Sequence, residues 1–311
     1  MSALALAVVS PSPFALDDER TYRVWRERKL ASAPQSVDDI VVEVRDPRRL
    51  TAAERNALIA RCRRANMAIY ASPVLDADKD IARRLGQQLG LTHLDANWLA
   101  EDDGISSLRV DGDARGEFIP YTNQPIKWHT DGYYNPPGRS IDAMVLHCVR
   151  PAAEGGANAL LDHEIAYILL RDADPEHVRA LSAPDAMVIP PREHASRDGD
   201  PPRPAQRGPV FSRRAATGDL RMRYTHRTKS VVWRNEAATR AAVAALRALL
   251  DCDNRFVLRA RLAAGMGLVC NNVLHDRCGF TDDANAPRLL YRARYRDRVA
   301  GSEHSHEETP R

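Results

Sequence analysis

The sequence predicts a mainly β protein with a sandwich-like core and flanking α-helices. Three observations carry that prediction. Short apolar or alternating runs bounded by Gly, Pro, Asp or Asn recur between Ile105 and Arg296. Segments with helical spacing lie mostly outside those runs. Hydrophobic residues fill 44% of the 311 positions, enough for a sizeable core between packed layers.

Residues 1–40 mix prolines with the polar segment Asp17–Lys29 and read as an N-terminal arm with one short helix. Residues 41–299 follow as a single domain. Val41–Val44 alternates as a strand does. Thr51-Ala52-Ala53-Glu54 is a capping box, in which hydroxyl and carboxylate satisfy the first free amides of a helix. Leu58, Ile59 and Cys62 give that helix its apolar side. Ala68–Ala71 is a strand, and Asp78–Leu89 a second helix with Ile81, Leu85 and Leu89 four apart and Gly90 as its stop.

Ile105–Val110 and Ile141–Cys148 read as strands, with His147 a packed residue of the second. His163–Leu170 and Pro175–Leu181 read as helices. Residues 184–219 are rich in Pro, Arg, Gly and Asp, which predicts a mobile insertion, placed to act as a lid or as a passive surface loop. Leu220–His226 is a strand. Asn235 caps an alanine-rich helix to about Leu250, with Val243, Leu246 and Leu250 inward. Phe256–Leu262, Met266–Leu274 and Leu289–Arg296 complete the strands, and 300–311 is a polar tail.

Forty-five basic and 42 acidic residues give a net charge of +3, which is no nucleic-acid footprint. The five cysteines, Cys62, Cys148, Cys252, Cys270 and Cys278, are odd in number and form no C-x-x-C pair. A disulfide framework or structural zinc site is not expected, so the chain reads as reduced and cytoplasmic. The apolar run Ala3–Val9 has no basic residue before it, unlike a secretory signal, and no stretch is long enough to span a bilayer.

The chemistry concentrates in Trp128-His129-Thr130-Asp131-Gly132-Tyr133-Tyr134. On an extended strand residues two apart project from one face, so His129 and Asp131 can reach a common point. His275, delivered by the apolar run from Met266, supplies a second imidazole. Two histidines and one carboxylate on one face of an octahedron leave three positions open, as in non-haem Fe(II) oxygenases. The same set could hold zinc in a hydrolase, or serve a non-catalytic cupin-like binder. Arg288 and Arg292 follow at even spacing on a predicted strand and so share a face, suited to pairing with a carboxylate.

With these pieces in hand, the sequence resembles the taurine dioxygenase/TfdA-like family of Fe(II)- and 2-oxoglutarate-dependent oxygenases. The matching pieces are Trp-His-Thr-Asp at 128–131, Pro136-Pro137, Gly155-Gly156, His275 and the R-x-x-x-R at 288–292, in family order over residues 50–297. The resemblance implies a double-stranded β-helix, a jelly roll of cupin type, with iron between its sheets. It implies Fe(II) on His129, Asp131 and His275. It implies 2-oxoglutarate with its distal carboxylate on Arg288, and Asn158 where the family often has a cosubstrate-binding threonine.

The implied reaction consumes dioxygen, converts 2-oxoglutarate to succinate and carbon dioxide, and hydroxylates or otherwise oxidises a substrate carbon. Asp131 argues against halogenation, since its carboxylate fills the position a halide would need. Arg292 can face an anionic group of the substrate or support the cosubstrate. Tyr133 and Tyr134 are expected to wall the substrate pocket, and Asn123 and Gln124 to contact substrate from the preceding loop. The expected substrate is a small anionic or zwitterionic metabolite, with no nucleic-acid or membrane partner. Assembly as a homo-oligomer is compatible with all of this.

Overall fold

The computed structural model describes residues 12–96, 101, 103–110, 118–192, 202–228 and 231–303. A six-stranded sheet runs in the order β1 (Val41–Glu43), β2 (Met67–Ala71), β14 (Met266–Cys270), β5 (Ala143–Arg150), β17 (Leu289–Tyr295) and β3 (Ser106–Leu108). A four-stranded sheet runs β13 (Leu258–Ala260), β7 (Asn158–Leu161), β15 (Leu274–Arg277) and β4 (Ile126–His129). Within these two sheets only β1–β2 pair in parallel. Three small pairings complete the β structure: β12 (Val232–Trp233) with β8 (Met187–Ile189) and β9 (Gln206–Gly208), β10 (Phe211–Arg213) with β11 (Leu220–Met222), and β16 (Phe280–Thr281) with β6 (Glu154–Gly155).

The helices are α1 (Glu19–Ala31), α2 (Ala52–Ala65), α3 (Asp80–Gln88), α4 (His163–Ala173), α5 (Pro175–Leu181) and α6 (Ala237–Asp251). The period-two alternation of β5 explains how they are layered. Its Ala143, Val145 and Val149 join a cluster with Leu58 and Cys62 of α2 and Leu85 of α3. Its Met144, Leu146 and Cys148 face the other way, into a cluster with Leu160 of β7 and Leu258 of β13. The outer face of the smaller sheet, through Trp128, Leu161 and Leu274, packs on α1, α4, α5 and α6. Mainly β layers are thus closed between two helical ones.

Most sequence-predicted elements stand where expected. The Thr51–Glu54 capping box is formed. Gly90 takes a left-handed φ of 79° just after Leu89, the C-cap of α3. Four readings differ. The run Met266–Leu274 is two strands in different sheets, broken at Asn271 and Asn272, where Asn272 is left-handed with φ 50°. Hydrophobicity could not reveal the break, because both pieces are buried. The helix after Asn235 is capped at Glu236, while Asn235 accepts a 2.7 Å bond from Arg240.

The other two concern segments read as peripheral. From residue 12 on, the region read as an arm is packed: α1 buries Tyr22, Trp25 and Lys29, and Phe14 and Tyr167 meet Trp25 edge-on. Polar composition hid a stripe three and four residues apart. Within 184–219, Met187, Ile189, Val210 and Phe211 are buried, so its two ends belong to the core. Residues 193–201 lie outside the described residues, as do 1–11 and most of the tail. The five cysteines are free, and no described helix is long and apolar enough to cross a membrane.

Lys29 ties α1 to the fold by charge. Its ammonium lies 2.7 Å from Asp162 and 2.5 Å from Glu164, all three side chains being at most 6% exposed. Burial works against that charge, but the two carboxylates outweigh it and raise the lysine pKa. Removing one partner of a buried ion pair strands the others and costs about 3–5 kcal/mol. Lys29→Met is therefore expected to lower the denaturant midpoint strongly. Arg23→Ala, which breaks an exposed helical pair with Glu19, should cost less than about 1 kcal/mol. Equal midpoints for the two variants would contradict the assignment.

Candidate active site

The smaller sheet brings two histidines together. β4 and β15 are antiparallel neighbours, and His129 stands directly opposite His275 in their register. The ring centroids are 4.2 Å apart. Each Nδ1 donates 2.9 Å to a carbonyl two residues back, Lys127 for His129 and Val273 for His275. Those bonds fix the tautomers and leave both Nε2 lone pairs for a metal.

Asp131 lies just beyond the end of β4, with Oδ1 3.8 Å from His129 Nε2. The strand alternation thus carries on for two residues after the ladder stops. Donor atoms of His129, Asp131 and His275 all lie within 4.8 Å of one another, the one such His/Cys/Asp/Glu group among the described residues.

Two local features aim the carboxylate. Gly132 has φ 67°, and a Cβ there would meet Ile141 Cγ1 at 2.4 Å, so the turn after Asp131 needs glycine. Asn272 accepts a 2.8 Å bond from the Asp131 amide and donates at 3.0 Å to its carbonyl. It donates also to the Ile141 carbonyl at 2.7 Å. The sequence reading missed Asn272; an Asn-Asn pair interrupting an apolar run was the available signal.

The electrostatics suit a cation. Burial, then the neighbouring His275, push His129 down to about 3, so its imidazole is neutral at physiological pH. Burial opposes the charge of Asp131, but Arg292 and Arg294 override it and hold the carboxyl well below the usual range. Asp131 Oδ2 is buried with no hydrogen-bond partner. An ionised oxygen left orphaned beside two free imidazole lone pairs fits a divalent metal.

A cavity of about 600 Å³ opens on this group, lined by His129, Asp131, Tyr133, Tyr134, Arg292 and Arg294 among others. Tyr133 and Tyr134 both line it and also pack on the helical core cluster. Arg292 lies 3.4 Å from Asp131 Oδ1. Arg294, two residues on and inward by the same alternation, donates to the Tyr134 hydroxyl at 3.0 Å and to Asp95 at 2.9 Å. Arg139 donates to the other Asp95 oxygen at 2.8 Å. Sequence reasoning missed this Asp95 clamp, since its members are far apart in the chain.

Arg288 lies in a separate narrow cavity with Asn158, Gly155 and Gly156. It is 4% exposed, and its Nη1 has no partner. Burial lowers its pKa, and the neighbouring Cys148 and Asp282 oppose that shift. Gly155, with φ 72°, is required because a Cβ would lie 2.3 Å from the Gly279 carbonyl across the β6–β16 pairing. The Asn158 amide already donates 2.6 Å to the Asp276 carbonyl. Asn123 and Gln124 are exposed and do not line the large cavity. Their backbone carbonyls instead receive Phe280 N–H and Arg277, while Phe118–Pro120, Ile126 and Lys127 on either side line the cavity.

Asn272 generates a prediction here. Asn272→Gly keeps the left-handed backbone available while deleting the three carboxamide bonds. Fe(II) affinity should fall about 10–100-fold, as for loss of a group that orients a metal ligand. Fe(II) or Co(II) titration measures it; wild-type affinity in a folded variant would dismiss the positioning role.

Comparison with known proteins agrees with this geometry. A model of the family described as taurine catabolism dioxygenase TauD, TfdA family matches residues 40–294. A uridine-5'-phosphate dioxygenase from an Amycolatopsis species is 34% identical over 178 residues, covering 54% of this chain and 60% of the relative. One from a Streptomyces species is 32% identical over 184 residues, covering 56% and 62%. The matches thus span about three fifths of the length of these curated relatives. Among solved structures, an asparagine oxygenase in complex with Fe(II), hydroxyasparagine and succinate superposes with TM-score 0.58 at 17% identity, over 89% of this chain and 92% of that one. The non-heme iron oxygenase OrfP with Fe and alpha-ketoglutaric acid superposes with TM-score 0.55 at 17% identity, over 80% and 81%. These likenesses establish a shared fold, and the family match over most of its length establishes that this chain belongs to the TauD/TfdA family.

Proposed function

We propose that the chain is an Fe(II)- and 2-oxoglutarate-dependent dioxygenase that oxidises a small anionic metabolite, releasing succinate and carbon dioxide. The observation that carries this reading is the convergence of two carbonyl-anchored imidazoles and the orphaned Asp131 carboxylate at the wall of a roomy cavity. His129, Asp131 and His275 would hold the iron. Arg288 would take the distal carboxylate of 2-oxoglutarate, with Asn158 beside it. Bound iron and cosubstrate supply the oxidation of a substrate C–H bond by dioxygen. The protein's part is to orient the target carbon, keep the ligands in their protonation states and exclude water.

The antiparallel order of the two facing sheets supports a double-stranded β-helix as the finer description of the core. The substrate cavity supports an anion: seven Lys and Arg side chains line it against two carboxylates, Asp95 and Asp131. Relatives named for uridine 5'-phosphate point the same way, towards a phosphorylated metabolite. Arg292 has a reading different from either one the sequence offered. Its contact with Asp131 makes it a companion of the metal ligand.

Anaerobic addition of Fe(II) and 2-oxoglutarate should give the weak visible charge-transfer band of the chelated cosubstrate. Asp131→Ala and His275→Ala should each abolish that band and succinate release while leaving the fold intact. Full turnover in either variant would sink the ligand assignment. Arg288→Ala should weaken 2-oxoglutarate binding by orders of magnitude, since stranding a buried charge partner costs about 2–5 kcal/mol. An unchanged requirement in Arg288→Ala, with loss in Arg292→Ala, would transfer the role to Arg292.

A further inference from the structure

The cations of the large cavity are not equivalent. Arg292 faces Asp131, and Arg294 and Arg139 share Asp95. These three are already compensated by carboxylates. Arg203 and Arg227 are not: neither has a carboxylate within ion-pair distance among the described residues, though both line the cavity.

Arg203 donates only to the carbonyls of Pro190 and Pro204, at 3.0 and 3.5 Å, and its Nε is buried without a partner. The charges of Arg227 and Arg203 both act on Tyr133, and that of Arg203 also on Tyr134. Behind Arg203 stands Arg223, held by the carbonyls of Tyr133, Met187 and Gln206 and by no carboxylate. Burial and then the charge of Arg203 bring Arg223 down to about 10. A folded protein tolerates such a group of like charges most readily where an anion enters to neutralise it.

We propose that Arg203 and Arg227, which both line the cavity beside Tyr133, form the anion-binding end of the substrate cavity, and that its ligand is a phosphomonoester. This rests on the reading of the cavity as a substrate site. A phosphomonoester is near dianionic at neutral pH and offers three acceptor oxygens, matching two guanidinium forks. A carboxylate or sulfonate carries a single charge and would neutralise only one. The even-spaced Arg292, which the sequence suggested for this task, is left to the metal ligand.

The test is equilibrium binding of phenyl phosphate, benzenesulfonate and benzoate to the protein loaded anaerobically with Fe(II) and 2-oxoglutarate. Phenyl phosphate should bind tightest, with an affinity that falls as salt rises. Arg203→Met and Arg227→Met should each weaken it roughly tenfold to a hundredfold, the scale of a lost charged hydrogen bond. Arg203→Lys should recover part of the loss, separating lost charge from lost packing. The charge-transfer band should persist in all three variants.

Phenyl phosphate binding that is unaffected by either methionine variant overturns the proposal. So does a wild-type preference for benzoate or benzenesulfonate, or failure of the wild type to bind phenyl phosphate at all. In those cases a normal band leaves the oxygenase reading standing. Absence of the band in the wild type would instead defeat that reading.

Discussion

Three hydrogen bonds from one side chain, Asn272, govern where the chemistry can occur. Its carboxamide holds the amide and carbonyl of Asp131 and the carbonyl of Ile141. Asn272 is also where the chain leaves the larger sheet for the smaller, in a left-handed conformation that asparagine tolerates better than most residues. The crossover therefore fixes two things together: the path that delivers His275, and the position of a carboxylate that lies beyond the end of its own strand. Asn271 secures the same crossover from the other side through Asn66 and Ser302.

Around that point the protein buries an unusual amount of positive charge. Arg288, Arg294 and Arg298 are all at most 6% exposed. Each is treated differently. Arg298 is absorbed by Asn66, a Ser302 carbonyl and Asp219, at the back of the site. Arg294 is fixed by Asp95 and Tyr134, which makes it a rigid wall. Arg288 keeps an unsatisfied Nη1. Desolvating a guanidinium is costly, so compensated arginines act as structure and uncompensated ones mark where an anionic ligand belongs.

Much of the site was legible before the fold. His129 and Asp131 declared themselves by a spacing that any extended backbone aims to one side, and His275 by the apolar run ahead of it. Arg288 followed from family order. The errors have a common cause. Asn123 and Gln124 were read as substrate contacts because they precede the metal motif, yet both are exposed and other residues of their loop line the large cavity. Lys29, Asp95 and Asn272 escaped because each acquires its meaning from a partner distant in the chain, and Arg203 because its lack of a carboxylate partner shows only in the fold.

The sequence by itself determined the alternation of strands, the helix caps, the glycines that turns require and the chemical types able to hold a metal. Those properties depend on neighbours within a few residues, where backbone sterics and periodicity act directly. Tertiary structure alone decided that one apolar run serves two sheets and that polar helix α1 belongs to the core. It also decided which arginines have carboxylate partners and which do not. Burial and electrostatic compensation are properties of surroundings, and only the folded chain brings those surroundings together.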